Sequence, residues 1–91
     1  MKAASALYRL LGDDARLRLL RVLAKDRFNV KELTGILGLA QSGVSRHLGL
    51  LKDAGLVKSR REGRLVHYRV EPRGMKPLID WIAHYRAFWT E

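Results

Sequence analysis

The sequence predicts a mostly α-helical fold with one small β-hairpin, and three observations carry that expectation. Residues 30–37 and 41–54 have helical spacing on either side of a glycine turn at Gly38. Residues 56–70 alternate with a period of two around Glu62-Gly63, as a hairpin does. Residues 75–89 return to helical spacing and are rich in aromatic side chains.

The chain opens with two expected helices, about 4–11 and 14–25, divided at Gly12-Asp13. Asp13 is a natural N-cap for the second, where Leu17, Leu20, Leu23 and Ala24 form a broad apolar face. Arg16, Arg18, Arg21 and Lys25 fall mainly off that face and read as solvated. The third helix, 30–37, has Asn29 to cap free N–H groups, Glu32 three residues on to complete a capping box, and Phe28 to staple to Leu33. Gly38 closes it in the left-handed conformation, with Leu39 packing back on the last turn.

On the fourth helix, 41–54, Val44, Leu48 and Leu51 make one apolar stripe, and Gly55 ends the helix as Gly38 ends its predecessor. Ser42, Arg46 and Gly49 fall opposite that stripe and Ser45 on its flank. Such a face is small, polar and basic, which lets a helix enter a major groove about 12 Å wide and reach base edges and phosphates. In the hairpin that follows, Val66, Tyr68 and Val70 share one face, while Arg60, Arg61 and Arg64 crowd the tip. Two helices joined at a tight turn, then a hairpin with a basic tip, make a winged helix-turn-helix, in which wing arginines track phosphates or enter the minor groove.

Glu71-Pro72-Arg73-Gly74 reads as a turn into the last helix, 75–89. There Met75, Leu78, Ile79, Ile82 and Tyr85 make one stripe, and Trp81, Phe88 and Trp89 add apolar surface beyond what one small core can cover. The extra aromatics either close over the chain's own core or pair with a second copy. The second reading is preferred, with Leu7, Leu10 and Leu11 of the first helix contributing. A two-fold dimer would set two recognition helices about 34 Å apart and call for a palindromic operator.

Composition agrees. Eighteen Lys and Arg against nine Asp and Glu leave a formal charge of +9 on 91 residues, a field that attracts polyanions and makes affinity fall with salt. Between Lys58 and Lys76 the basic residues Lys58, Arg60, Arg61, Arg64, Arg69, Arg73 and Lys76 face only Glu62 and Glu71. The length fits one domain, 1–91, too small to bury an active-site cleft, so an enzyme is not expected. The absence of cysteine excludes disulfides and thiolate metal sites. Arg9 and Gly12-Asp13-Asp14 interrupt the apolar start, which reads as a cytoplasmic helix, and no stretch approaches the roughly 20 apolar residues of a membrane span.

With these elements in this order, the chain resembles the ArsR family of winged-helix transcriptional repressors over about Leu7 to Trp89. The resemblance rests on Leu11-Gly12-Asp13-Asp14-Ala15-Arg16-Leu17-Arg18-Leu19-Leu20, Glu32-Leu33, Val44-Ser45-Arg46-His47-Leu48 with Leu51, Ala54-Gly55-Leu56-Val57, and the hairpin from Arg60-Arg61-Glu62-Gly63-Arg64 to Tyr68-Arg69. It implies a homodimer, joined through its first and last helices, that binds an imperfect palindrome and represses transcription until a ligand or metal weakens binding. By that likeness Gln41, Ser42, Gly43, Ser45, Arg46 and His47 lie on the DNA-reading segment and Arg60, Arg61 and Arg64 on the wing.

The chain departs from the family pattern in places. Leu33-Thr34-Gly35 stands where arsenic-sensing members carry cysteines, so that sensor is absent. Ala40 replaces a commoner Ser cap, which loosens the helix start by about 1 kcal/mol unless Ser42 substitutes. Gly49 stands where lysine is frequent, removing one phosphate contact, and Asp13-Asp14 replaces a frequent Asp-Pro. No cofactor is expected. The one zinc alternative is Asp80 and His84, i and i+4 on the last helix, where zinc-responsive relatives place ligands across the dimer. Otherwise His47 is expected at a phosphate or on the recognition face, and His67 on the open side of the hairpin. Residues 40–55 also look like the DNA-binding module fused to some methyltransferases, an alternative setting for the same domain.

Overall fold

The computed structural model describes residues 2–89, apart from the side chains of Ala87 and Trp89. Helices α1 (Lys2–Leu11) and α2 (Asp14–Leu23) lead into a two-residue strand β1 (Phe28–Asn29), then α3 (Val30–Leu37) and α4 (Gln41–Asp53). Strands β2 (Val57–Glu62) and β3 (Leu65–Val70) follow, then a 3-10 turn (Pro72–Met75), α5 (Lys76–Ala83) and a short α6 (Arg86–Trp89).

The local signals act as their chemistry dictates. Asp13 accepts from the Arg16 N–H and caps α2. Asn29 and Glu32 form a reciprocal capping box at 2.8 and 2.9 Å, satisfying two N–H groups that the start of α3 would leave free. Gly38 takes φ 68° and donates to the Thr34 carbonyl, closing α3. At the end of α4, Gly55 (φ 78°) donates to Lys52 and Leu56 donates to Leu51, each at 2.9 Å, while Leu56 and Leu51 are both fully buried. Paired bonds with an apolar contact between their ends define a Schellman motif, which turns the chain sharply from α4 into the wing.

The sheet has the antiparallel order β1-β3-β2. Glu62 pairs with Leu65, so Gly63 and Arg64 form a two-residue loop. Gly63 has φ 67° and no non-glycine residue among those described has positive φ, the sign pattern of a II′ turn whose twist suits a hairpin. Strand β1 was not anticipated, because two residues are too few to show periodicity. It pairs Phe28 with Tyr68 and Asn29 with His67, fastening the start of α3 to the wing.

One apolar cluster unites the helices and the base of the hairpin: Leu19 and Leu23 of α2, Leu33 and Leu37 of α3, Val44, Leu48 and Leu51 of α4, Leu56 and Val57, with Leu7 and Leu78 sealing it from α1 and α5. The α2 face differs from expectation. Leu19 and Leu23 point inward, whereas Leu17 is 49% exposed and Ala24 is exposed as well. Leucines on several sides of this helix left its phase open, and packing against α4 selected the Leu19–Leu23 stripe.

The last helix is broken. At residues 84–85 the N–H groups of His84, Tyr85 and Phe88 reach back three residues, to Trp81, Ile82 and Tyr85, so the chain tightens into a turn between α5 and α6. The sequence there is dominated by aromatic and β-branched residues of modest helix propensity. Among the described residues, no helix is long and apolar enough to cross a membrane.

Candidate nucleic-acid interface

Helix α4 is held on its apolar side and open on the other. Val44, Leu48 and Leu51 are fully buried, while Gln41, Ser42, Ser45, Arg46 and Gly49 are exposed and Gly43 is half-buried at the helix start. Ala40 offers no side-chain cap, and Ser42 does not replace it, so no side chain caps the first N–H groups of α4. Uncapped amides at a helix N-terminus suit an anionic oxygen.

His47 departs from expectation. Only 8% of it is exposed, and it faces inward rather than lying on the open face. It sits three residues after Val44 and four before Leu51, so the buried stripe of α4 extends to it, a spacing that could have revealed its orientation. Its Nδ1 lies 3.4 Å from Arg16 Nη1, and Arg16 Nε donates to the Leu10 carbonyl at the end of α1. Arg18 Nη2 likewise donates to the Leu37 carbonyl at 3.1 Å, satisfying a free group at the end of α3. Two arginines read as solvated therefore tie α2 to its neighbours.

At the wing, Arg60, Arg61 and Arg64 are exposed, and among the described residues no carboxylate lies within ion-pairing distance of them or of Arg46. Arg61 Nε donates to the Gly63 carbonyl, which braces it along the tip. Cross-strand pairing places Arg60 with His67 on one face of the hairpin and Arg61 with Val66 on the other, so the arginines leave the tip in different directions.

The wing is also latched. Glu62 accepts from Arg27 Nε and Nη2 at 2.7 and 2.8 Å, a bidentate pair joining the hairpin end to the segment before β1. Those hydrogen bonds hold the Glu62 carboxyl below the usual glutamate range and raise the Arg27 guanidinium above its ordinary value. His67 lies on the outer hairpin face as expected, but it is covered: its side chain is 14% exposed, with Nδ1 3.5 Å from Glu62 and Nε2 4.0 Å from Glu32. Sequence reasoning missed this latch because Arg27 and Glu62 lie far apart in the chain and meet only once β1 pairs with β3.

The residues expected at a subunit interface divide. Leu7 and Leu78 belong to the chain's own core and Leu10 and Leu11 pack partly against it, so α1 uses these leucines internally. Ile79, Ile82, Tyr85 and Phe88 remain exposed, Phe88 at 78%, and Trp81 is half-buried. Tyr8, which the sequence reading passed over, joins them: its ring meets Trp81 edge-on at 5.6 Å, and Trp81 stacks obliquely on Tyr85 at 4.8 Å. Tyr8, Trp81, Ile82, Tyr85 and Phe88 line an apolar groove of 520 Å³. The Trp89 side chain lies outside the described residues. On α5 the Asp80 carboxylate accepts from Lys76 Nζ at 2.8 Å, so the proposed zinc ligand is already engaged by a lysine one turn earlier. No cluster of three metal-type side chains occurs among the described residues.

Comparison with known proteins agrees with this geometry. Residues 13–59, from the α2 cap into β2, match the family model described as bacterial regulatory protein, arsR family. The chain is 41% identical over 66 residues to an arsenic resistance transcriptional regulator of Pseudomonas putida, covering 71% of this chain and 52% of that protein. It is 37% identical over 67 residues to the arsenical resistance operon repressor of Escherichia coli, covering 72% and 57%. It is 34% identical over 77 residues to the transcriptional activator HlyU of Vibrio cholerae, covering 85% and 71%. The chain thus spans little more than half the length of the first two relatives. The solved structure of reduced HlyU from Vibrio cholerae superposes with a TM-score of 0.76 at 31% identity, covering 96% of this chain and 90% of that one. An ArsR-like regulator from Rhodococcus reaches 0.83 at 23% identity, a likeness of fold alone. These relatives are transcription regulators rather than enzymes, and this winged helix-turn-helix chain belongs to the ArsR family of DNA-binding regulators.

Proposed function

We propose that this chain is a sequence-specific transcriptional repressor that acts in the cytoplasm as a homodimer on a palindromic operator. The observation that carries the reading is the exposed polar face of α4, Ser42, Ser45 and Arg46, together with exposed wing arginines that form no salt bridge among the described residues. Arg46 reaches base edges, while Gln41, Ser42 and Gly43 bring the uncapped start of α4 to the phosphate backbone. Arg60, Arg61 and Arg64 grip flanking phosphates, adding affinity that carries little sequence information. Repression is favoured over activation because repressors recur among the relatives, in Escherichia coli and in the biofilm growth-associated repressor of Agrobacterium fabrum, alongside the HlyU activator.

The dimer rests on the apolar groove lined by Tyr8, Trp81, Ile82, Tyr85 and Phe88, with exposed Ile79 also on α5, an uncharged lining on a strongly basic chain. Pairing these surfaces about a two-fold axis would present two α4 helices to one side of a duplex.

Gel-shift titrations on operator and scrambled duplexes at two salt concentrations test the assignment. Arg46→Ala is expected to lower specific affinity by roughly 1–3 kcal/mol, and Arg61→Ala or Arg64→Ala to weaken binding to both duplexes and flatten the salt dependence. Unchanged affinity in all three variants would refute it.

A further inference from the structure

The Arg16 guanidinium touches two elements at once. Its Nε bonds the Leu10 carbonyl at the end of α1, and its Nη1 faces Nδ1 of His47 on α4 at 3.4 Å. Arginine only donates, so Nδ1 accepts and the ring proton of neutral His47 sits on Nε2. We propose that Arg16 and His47 form a positioning contact that sets α4 against α1, and that a proton on His47 breaks it, so that acid weakens DNA binding through a residue that does not touch DNA. The proposal rests on α4 being the DNA-reading helix.

Protonated His47 has no acceptor to offer Arg16, and two cations then share a half-buried site. Of the charged groups around His47, α2 supplies Arg16 and its cap supplies Asp13, whose carboxylate accepts the Arg16 backbone N–H and attracts both Arg16 and a protonated His47. Asp13 therefore offsets part of their repulsion but cannot replace the acceptor that Arg16 loses at Nδ1. Helix α1 contributes the neutral Leu10 carbonyl, and the neighbouring Arg46 on α4 points to solvent. Farther along α2, Asp14 is directed at Arg18. Release of the contact frees the α4 segment that carries Ser45 and Arg46, one turn from its uncapped start.

The sign of the effect is diagnostic. Acid raises the net positive charge and, by counterion release alone, would strengthen binding to a polyanion. A weakening on acidification therefore reports geometry.

The experiment measures affinity for a duplex enriched from a random pool at about pH 8 and about pH 5.5, either side of the histidine range. The wild type is expected to lose about tenfold between them, the worth of one hydrogen bond to a charged group. His47→Gln keeps a neutral acceptor for Arg16 at both values and should show no loss, whereas His67→Gln and His84→Gln should keep the wild-type slope. Arg16→Lys cannot serve both acceptors and should bind weakly at both values. A wild type that binds equally well or better in acid overturns the proposal, as does a slope that survives in His47→Gln.

Arg46→Ala at about pH 8 separates the two claims. If it leaves affinity intact, the assignment of α4 as the reading helix fails. If it weakens binding while His47→Gln titrates like the wild type, only the positioning claim fails. Nitrogen NMR of the free protein gives a readout independent of DNA and of the variants' folding. His47 should carry its proton on Nε2 when neutral, and its titration should move amides of α4 and the end of α1 together. Titration without those shifts contradicts the contact.

Discussion

Replacing Gly74 by alanine should destabilise the domain far more than its place in a surface turn suggests. A Cβ there would overlap the Gly55 carbonyl oxygen and lie 2.7 Å from Gly55 C and 3.1 Å from Leu56 Cα, all backbone atoms of the Schellman turn ending α4. That turn cannot yield cheaply, because Gly55 and Leu56 are bonded to Lys52 and Leu51 and the Leu56 side chain is fully buried. If the 3-10 turn yields instead, restoring an ordinary carbon contact of about 3.5 Å to Gly55 C alone requires a withdrawal of about 0.8 Å, and clearing the closer Gly55 carbonyl oxygen requires more. The Glu71 N–H to Leu56 carbonyl bond, now 2.8 Å, would be pulled out of hydrogen-bonding range. Overpacking and the lost bond together cost roughly 3 kcal/mol. For a domain of this size that corresponds to a fall in Tm of roughly 12 °C or more. Thermal and urea unfolding followed by circular dichroism measure it, and a Gly74→Ala variant melting within about 2 °C of the wild type would refute the reasoning.

Other substitutions test the remaining elements. Gly49 lies in α4 with open space where a Cβ would stand, so Gly49→Ala should stabilise by about 0.5–1 kcal/mol in urea unfolding; destabilisation would show that the helix needs glycine there. Glu62→Gln should loosen the wing, read as faster amide exchange around Gly63. Because the folded state depresses the Glu62 carboxyl, the latch contributes above the ordinary glutamate range and is lost as pH falls through the lowered folded value, where wild type and variant should converge. Unaltered exchange in the variant at neutral pH would contradict the latch. Ile82→Asp, on the exposed side of α5, should convert a dimer into a folded monomer in sedimentation equilibrium; a variant that stays dimeric moves the interface elsewhere.

The readily legible features were those whose cause is local. Asn29 and Glu32 announce the capping box within four residues, Gly38 and Gly55 mark helix ends by the conformation only glycine adopts freely, and the alternation from Leu56 to Val70 identifies the hairpin. Features set by tertiary contact were less visible. Leu19 rather than Leu17 faces the core because α4 packs there, and Arg16 and Arg18 are drawn across to neighbouring helices by carbonyls at the ends of α1 and α3, Arg18 while still exposed. The Arg27–Glu62 latch depends on β1, too short to leave a pattern. Within the candidate site, Ser42, Ser45, Arg46 and the three wing arginines are exposed as the sequence indicated. His47 differs because a polar residue on the flank of an apolar stripe is buried only when a partner such as Arg16 awaits it.

Selection of bound duplexes from a random pool tests the central claim most directly. Two α4 helices related by a two-fold axis should enrich an inverted repeat whose half-sites are centred about one helical turn, near 34 Å, apart. A pool with no enriched sequence, or with one unrepeated half-site, would contradict the account.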